Sequence, residues 1–147
     1  MPSIRSRQTA SIRAMATVSK MAGVRLKTAR DEVQLSQRGI SPDVIDQLKQ
    51  LGTSSAELHW IIKPRTLAHR KSKGEDLTQE ETGRWLRVAK IQALALEVFG
   101  SKEKAISWLR KPTRSFDDQS ALVLLQSEAG AQLVEDKLNQ LDAGYFA

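Results

Sequence analysis

The stretch Pro64-Arg65-Thr66-Leu67-Ala68-His69-Arg70-Lys71 carries the chemistry most readily read from this sequence. Proline suits the first turn of a helix, where its missing N–H has no bond to lose. On such a helix Leu67 and Ala68 can pack inward, leaving Arg65, Thr66, His69 and Arg70 along much of the outer surface. Arginine can fork two hydrogen bonds onto a guanine edge, and threonine or histidine can reach bases or phosphates. Lys71 and Lys73 extend the cationic surface toward a phosphate backbone. The candidate DNA-binding residues are therefore Arg65, Thr66, His69, Arg70, Lys71 and Lys73. Taken alone, a charged helix of this kind is more often simply solvated. What argues for function is the element before it, a short helix around residues 54–62. That helix is broken at Lys63-Pro64, because proline disfavours a helical conformation in the residue it follows. Two short helices joined by a tight break have the dimensions of a helix-turn-helix.

Other chemistry is scarce. The 147 residues include no cysteine, which removes disulfides, thiolate metal sites and cysteine nucleophiles. Two histidines, His59 and His69, are too few for a histidine-rich metal site or a catalytic network. Gly100-Ser101-Lys102 lacks the upstream glycine of a phosphate-binding loop and reads as a helix stop and restart. Asp117-Asp118 reads as an acidic turn before it reads as a metal site. No catalytic residue, metal site or cofactor is expected, and the chain reads as a binder, not an enzyme.

The charge is unevenly placed. Residues 1–74 hold 14 Lys and Arg against 5 Asp and Glu, a balance of +9, while residues 75–147 hold 9 against 12, a balance of −3. Such asymmetry points to a nucleic-acid-facing half and a second half with another task. Residues 1–30 contain Arg5, Arg7, Arg13, Lys20, Arg25, Lys27 and Arg30 and no acid. With Ser, Thr and Ala filling much of the rest, this segment reads as a flexible basic arm able to track phosphates. An arginine-rich, acid-poor leader also has the character of an organellar transit peptide, which nothing else in the sequence supports. No apolar run approaches the length of a membrane span, and a cytoplasmic protein is expected.

The elements that must position these residues are helices. Asp31 to Arg38 forms a short one stopped by Gly39. Ser41 and Pro42 open the next, with Val44, Ile45, Leu48 and Leu51 on its apolar face. Ser54 or Ser55 caps the first helix of the helix-turn-helix. Thr78-Gln79-Glu80-Glu81 is a capping box that opens the longest helix, with Trp85, Ala89, Ala93, Leu96 and Phe99 at helical spacing and Gly100 as its stop. Ser101 caps a helix that Pro112 ends, a short leucine-rich helix falls within residues 115–130, and Ser127 caps a last helix with Leu133, Val134, Leu138 and Leu141 on one face. No segment alternates as a strand does. The fold class is all-α.

The stretch Val98-Phe99-Gly100-Ser101-Lys102-Glu103-Lys104-Ala105-Ile106-Ser107-Trp108-Leu109-Arg110-Lys111-Pro112 resembles the signature of the Xre/MbcA/ParS toxin-binding domain family. Leu122 to Leu125, Ser127-Glu128-Ala129-Gly130, Val134, Leu138 and the final Asp142-Ala143-Gly144-Tyr145-Phe146-Ala147 extend the likeness. Upstream, Arg65-Thr66-Leu67, Arg70, Glu81, Arg84 and Arg87 look like that family's helix-turn-helix end and connector. The chain departs from the family at Asp118, where a glycine is usual, at Ala121, where a proline is, and at Ile61 and Lys63, where a small residue and a serine cap are.

The resemblance implies an antitoxin paired with a RES-domain toxin that consumes NAD or ADP-ribosylates a target. Such an antitoxin occludes the toxin's active site and binds duplex DNA at its own promoter through an Xre-like half, as a homodimer or higher oligomer. It implies three regions: a basic arm over 1–30, an Xre-like helix-turn-helix region over 31–77, and a helical toxin-binding and dimerisation domain over 78–147. The apolar face of residues 85–99 and the carboxy-terminal helices would supply surface for self-association. Gly144, Tyr145, Phe146 and Ala147 are the candidate toxin-binding residues, since two aromatics after a helix stop offer large area at little entropic cost. The alternative is a stand-alone dimeric helix-turn-helix transcription regulator.

Overall fold

The protein is described by a computed structural model covering residues 4–144, with side chains from Ala10 onward. The all-α expectation holds. One helix organises the rest: α6 (Gln79–Phe99), which opens at Thr78 in the expected capping box and closes at Gly100 in the left-handed conformation. Trp85, Val88, Ala89, Ala93 and Ala95 on it are almost wholly buried. Packed around it are α1 (Ile4–Ala22), α2 (Ala29–Arg38), α3 (Val44–Gln50), α7 (Lys102–Arg110) and α9 (Glu128–Asp142). Two shorter helices, α4 (Ser55–Leu58) and α5 (Pro64–Lys73), occupy the segment expected to form a helix-turn-helix, and α8 (Ala121–Leu124) precedes α9. A single hydrophobic cluster runs from Ala14 through Trp85 to Leu138. Among the described residues, no helix is long and apolar enough to cross a membrane.

The basic arm is corrected by the structure: residues 4–22 are helical and lie along α6. The reason is visible in retrospect. Ala10, Ala14 and Val18, at every fourth position, form a narrow buried stripe whose small side chains admit close helix packing. Arg13 on the outer side reaches Glu97 at 4.0 Å. Beyond α1, Leu26 is buried and its N–H donates to Ser19 Oγ at 3.0 Å.

Local signals set most helix starts. Thr28 and Asp31 form a reciprocal capping box, which moves the start of α2 to Ala29, two residues before the expected Asp31. Hydrogen bonds from the Lys27 and Thr28 N–H groups hold the Asp31 carboxyl below its usual value. Helix α3 begins later than Ser41 predicts, after the turn Ser41–Asp43, and still buries Val44, Ile45 and Leu48. Ser54, Ser101 and Ser127 cap α4, α7 and α9, each side chain accepting a backbone N–H three residues on. On α9 the expected apolar face is rotated: Val134 and Leu138 are buried, whereas Leu133 is 56% exposed.

One small ladder joins the helices. Pro112–Thr113 (β1) pairs antiparallel with Gln119–Ser120 (β2), in register Pro112 with Ser120. The chain reverses between them through Asp117 and Asp118, both at positive φ (55° and 62°). Asp118 stands where the resembled family has glycine, and the turn survives that departure with a side chain in a conformation that favours glycine. Asp118→Gly should therefore stabilise the protein by about 0.5–1 kcal/mol. Urea denaturation checks this, and a lower midpoint in the variant would count against the turn being strained.

Candidate functional site

The exposed face of α5 is built by a stop and a start. Lys63 is extended (φ −64°, ψ 142°), as the residue before a proline must be, and Pro64 begins the helix with no side-chain cap beneath it. Ile61, in the turn, is fully buried. This places Arg65, His69 and Lys73 at four-residue spacing along one face, a row about 12 Å long. All three are exposed, and among the described residues Arg65 and Lys73 have no ion-pair partner. His69 Nε2 lies 3.8 Å from Glu75, and Thr66 is half-buried beside the row.

The other two candidates are each paired with an acid. Arg70 Nε and Nη2 donate to Glu81 Oε1 and Oε2 at 2.9 and 3.1 Å, a planar fork only 18% and 11% exposed at its two side chains. Lys71 Nζ donates to Asp46 Oδ2 at 2.8 Å. The structure thus corrects the reading of Arg70 as an open DNA contact, because it points back to Glu81 on α6, while Lys71 stays exposed as it pairs with Asp46 on α3. Burial pushes the Glu81 carboxyl up, but hydrogen bonds from Arg70 and from the Thr78 N–H outweigh it and hold the group below its usual value. Bonding to Glu81 raises the Arg70 guanidinium further still.

A second fork mirrors the first. Arg110 on α7 donates through Nε and Nη2 to Glu57 on α4 at 2.7 and 2.8 Å, and Nη2 also reaches the Gly52 carbonyl at 2.9 Å. Hydrogen bonds from Arg110 hold the Glu57 carboxyl low. Glu57 and Glu81 are each the third helical residue of a capping box, so each fastens its own helix start and receives an arginine from a different helix. Between the forks, Arg84 donates to the Ile61 carbonyl at 3.3 Å and the Trp85 indole to the Val44 carbonyl at 3.0 Å. Sequence reasoning missed both forks. The motifs Ser54…Glu57 and Thr78…Glu81 are visible, but the arginine partners stand 53 and 11 positions away.

The carboxy-terminal unit is bound by aromatic and close backbone contacts. Trp108 sits between Phe99 and Phe116, with ring centroids 5.6 and 6.1 Å away. Helix α8 crosses α9 at Gly130, where a Cβ would overlap the Leu124 carbonyl and stand 2.8 Å from its carbon. After α9 the chain turns at Gly144, φ +90°, a conformation that glycine supplies freely. Of the candidate toxin-binding residues, Tyr145, Phe146 and Ala147 lie outside the described residues. The α6 face once assigned to self-association is filled within the monomer, since Trp85, Leu86, Val88, Ile91 and Leu94 are all buried.

These features define a small all-α protein whose short helices α4 and α5 are fastened by arginine–glutamate forks to α6 and to a helical carboxy-terminal module. Residues 94–144 match the Antitoxin Xre/MbcA/ParS C-terminal toxin-binding domain. The chain is 34% identical over 113 residues to an antitoxin Xre of Pseudomonas putida, covering 77% of this chain and 64% of that protein. It is 32% identical over 114 residues to an antitoxin Xre of Yersinia enterocolitica, covering 74% and 76%. The chain belongs to the Xre antitoxin family.

Proposed function

We propose that this protein is an antitoxin that neutralises a cognate RES-domain toxin by occluding its NAD-consuming or ADP-ribosylating active site, and that it represses its own promoter. It acts by binding, in the cytoplasm where toxin and promoter meet. The observation that carries the first part is the end of the toxin-binding region: α9 ends at Asp142, and Gly144 follows at φ +90°, a conformation that does not continue a helix. Tyr145 and Phe146 follow, and burying two rings in a cleft contributes a few kcal/mol, about a hundredfold in affinity. Deleting residues 145–147 should leave helix content and promoter binding intact while restoring toxicity when toxin is co-expressed. Full protection by the truncated protein at matched expression would move the inhibition to the helical surface.

Repression rests on the α5 row. Arg65 stands in the first turn, where a recognition helix meets base edges, with His69 and Lys73 following along the groove. Two half-sites would give a homodimer useful affinity, with the contact formed outside the filled α6 face. Arg65→Ala should relax sequence preference at the base it meets, and Lys73→Ala should flatten the log–log salt dependence of promoter binding by about one unit, each leaving the melting temperature unchanged. Gel shifts at several salt concentrations read the slope, and light scattering of the DNA complex reads its stoichiometry. An unchanged slope would take this face out of the interface.

A further inference from the structure

Where α4 meets α8, a cleft of about 410 Å³ opens at the surface. Its α8 wall, Leu122 and Val123, lies inside the region that matches a toxin-binding domain. Its opposite wall, Ala56 and Glu57 on α4 with His59 and Trp60 in the turn after it, lies outside that region. The cleft is preformed. The Arg110–Glu57 fork that lines it fixes α7 against α4, and the Arg87 guanidinium lies over the Trp60 ring, 5.8 Å from its centroid. The same guanidinium donates to the Leu125 carbonyl at 3.2 Å, so the two walls are tied together through Arg87.

We infer that the toxin-binding surface crosses from the matched region onto the helix-turn-helix, and that the α4–α8 cleft receives an uncharged, apolar side chain of the toxin. This rests on the toxin-binding reading above. Three observations select that occupant. The wall formed by α8 is continuous with the toxin-binding region. The charged pair lining the cleft, Arg110 and Glu57, is joined in a bidentate bond and so offers no unpaired charge to a phosphate or an ion. Val123 is 51% exposed beside a half-buried tryptophan, the pairing of open aliphatic surface and fixed aromatic that makes an energetic anchor at protein interfaces.

The test uses the full chain with the cognate RES-domain toxin. Val123→Asp should weaken toxin binding by about tenfold or more while promoter affinity and melting temperature hold. Ile12→Asp, at a more exposed position on α1 (67%), should change nothing. Hydrogen exchange on the unmutated complex gives a readout independent of any variant: amides of residues 56–60, on and just after single-turn α4, should slow about tenfold on toxin binding. Toxin affinity of Val123→Asp within about twofold of the parent overturns the inference. So does unchanged exchange at 56–60, which would confine the toxin to the matched region. A Val123→Asp protein of halved mass but full toxin affinity assigns the cleft to a second copy and also overturns it. If the unmutated protein binds no toxin, the reading beneath falls with it; if it binds and only the cleft results fail, that reading stands alone.

Discussion

Replacing Gly130 with alanine should break the toxin-binding unit, although alanine is the better helix former. Position 130 lies in the first turn of α9, and its nearest neighbours are backbone: the Leu124 carbonyl oxygen, which an added Cβ would overlap, and its carbon at 2.8 Å. Backbone cannot rotate aside as a side chain can, so α8 and α9 must separate. The Gly130 N–H that donates to Ser127 Oγ at 3.0 Å would move with them, weakening the cap of α9. Overpacking of this kind costs about 1–3 kcal/mol, and loss of a cap about 1 more. Against that stands a helix-propensity gain of at most about 1 kcal/mol. The net is a destabilisation of about 2 kcal/mol, or a fall of roughly 5–10 °C in melting temperature. Gly83→Ala on α6 supplies the opposite sign, because nothing lies within 4 Å of its Cβ position. It should gain about 0.5–1 kcal/mol. Calorimetry on both variants checks the pair, and destabilisation by both would mean that propensity and packing have been weighed wrongly here.

Elements with punctuation at both ends were legible in the sequence. Helix α6, between the Thr78 box and Gly100, and α7, between Ser101 and Pro112, fall where their caps and stops put them. Helix α1 was not legible because its buried stripe is Ala10, Ala14 and Val18, residues whose small area gives a weak amphipathic signal beside four arginines and lysines. Its order comes from α6, a partner some eighty residues away. Leu133 shows the converse: it stands about 100° round the helix from Val134 and lies outside the core that Val134 and Leu138 fill. For the site, residue type located the cationic helix, but tertiary pairing divided it. Arg65, His69 and Lys73 keep open surroundings, whereas Arg70 and Lys71 meet Glu81 and Asp46. No local rule distinguishes Arg65 from Arg70. Five residues apart on one helix, they differ only in what α6 brings beside them.

That division gives the other large effect. Arg70→Ala should cost about 2–3 kcal/mol near neutral pH, because it leaves Glu81 buried with its charge uncompensated. The pH dependence separates this from simple loss of a surface contact. In the parent protein the Glu81 carboxyl titrates below its ordinary 4.5, so the pair contributes stability that is full above that value and is lost as pH falls through the lower folded value. In the variant, burial acts with less opposition and raises the folded value above the unfolded one. The charged form then penalises folding above it, and the penalty lifts as pH falls. The two curves converge from both sides: the parent loses stability toward pH 4 while the variant regains it. Their gap should shrink from about 2–3 kcal/mol at pH 7 to under about 1 kcal/mol near pH 4. Adding Glu81→Gln to Arg70→Ala should restore part of the loss at pH 7, since a neutral amide tolerates the site better than an unpaired carboxylate. Promoter affinity extends the argument to function. Because the guanidinium holds α5 to α6 and does not face outward, Arg70→Ala should weaken DNA binding through the placement of α5. The double variant should then recover affinity together with stability. Urea titrations across pH, paired with gel shifts, read both quantities. A gap constant from pH 7 to pH 4, or DNA affinity that stays lost when stability returns, would put Arg70 back on the DNA-facing surface.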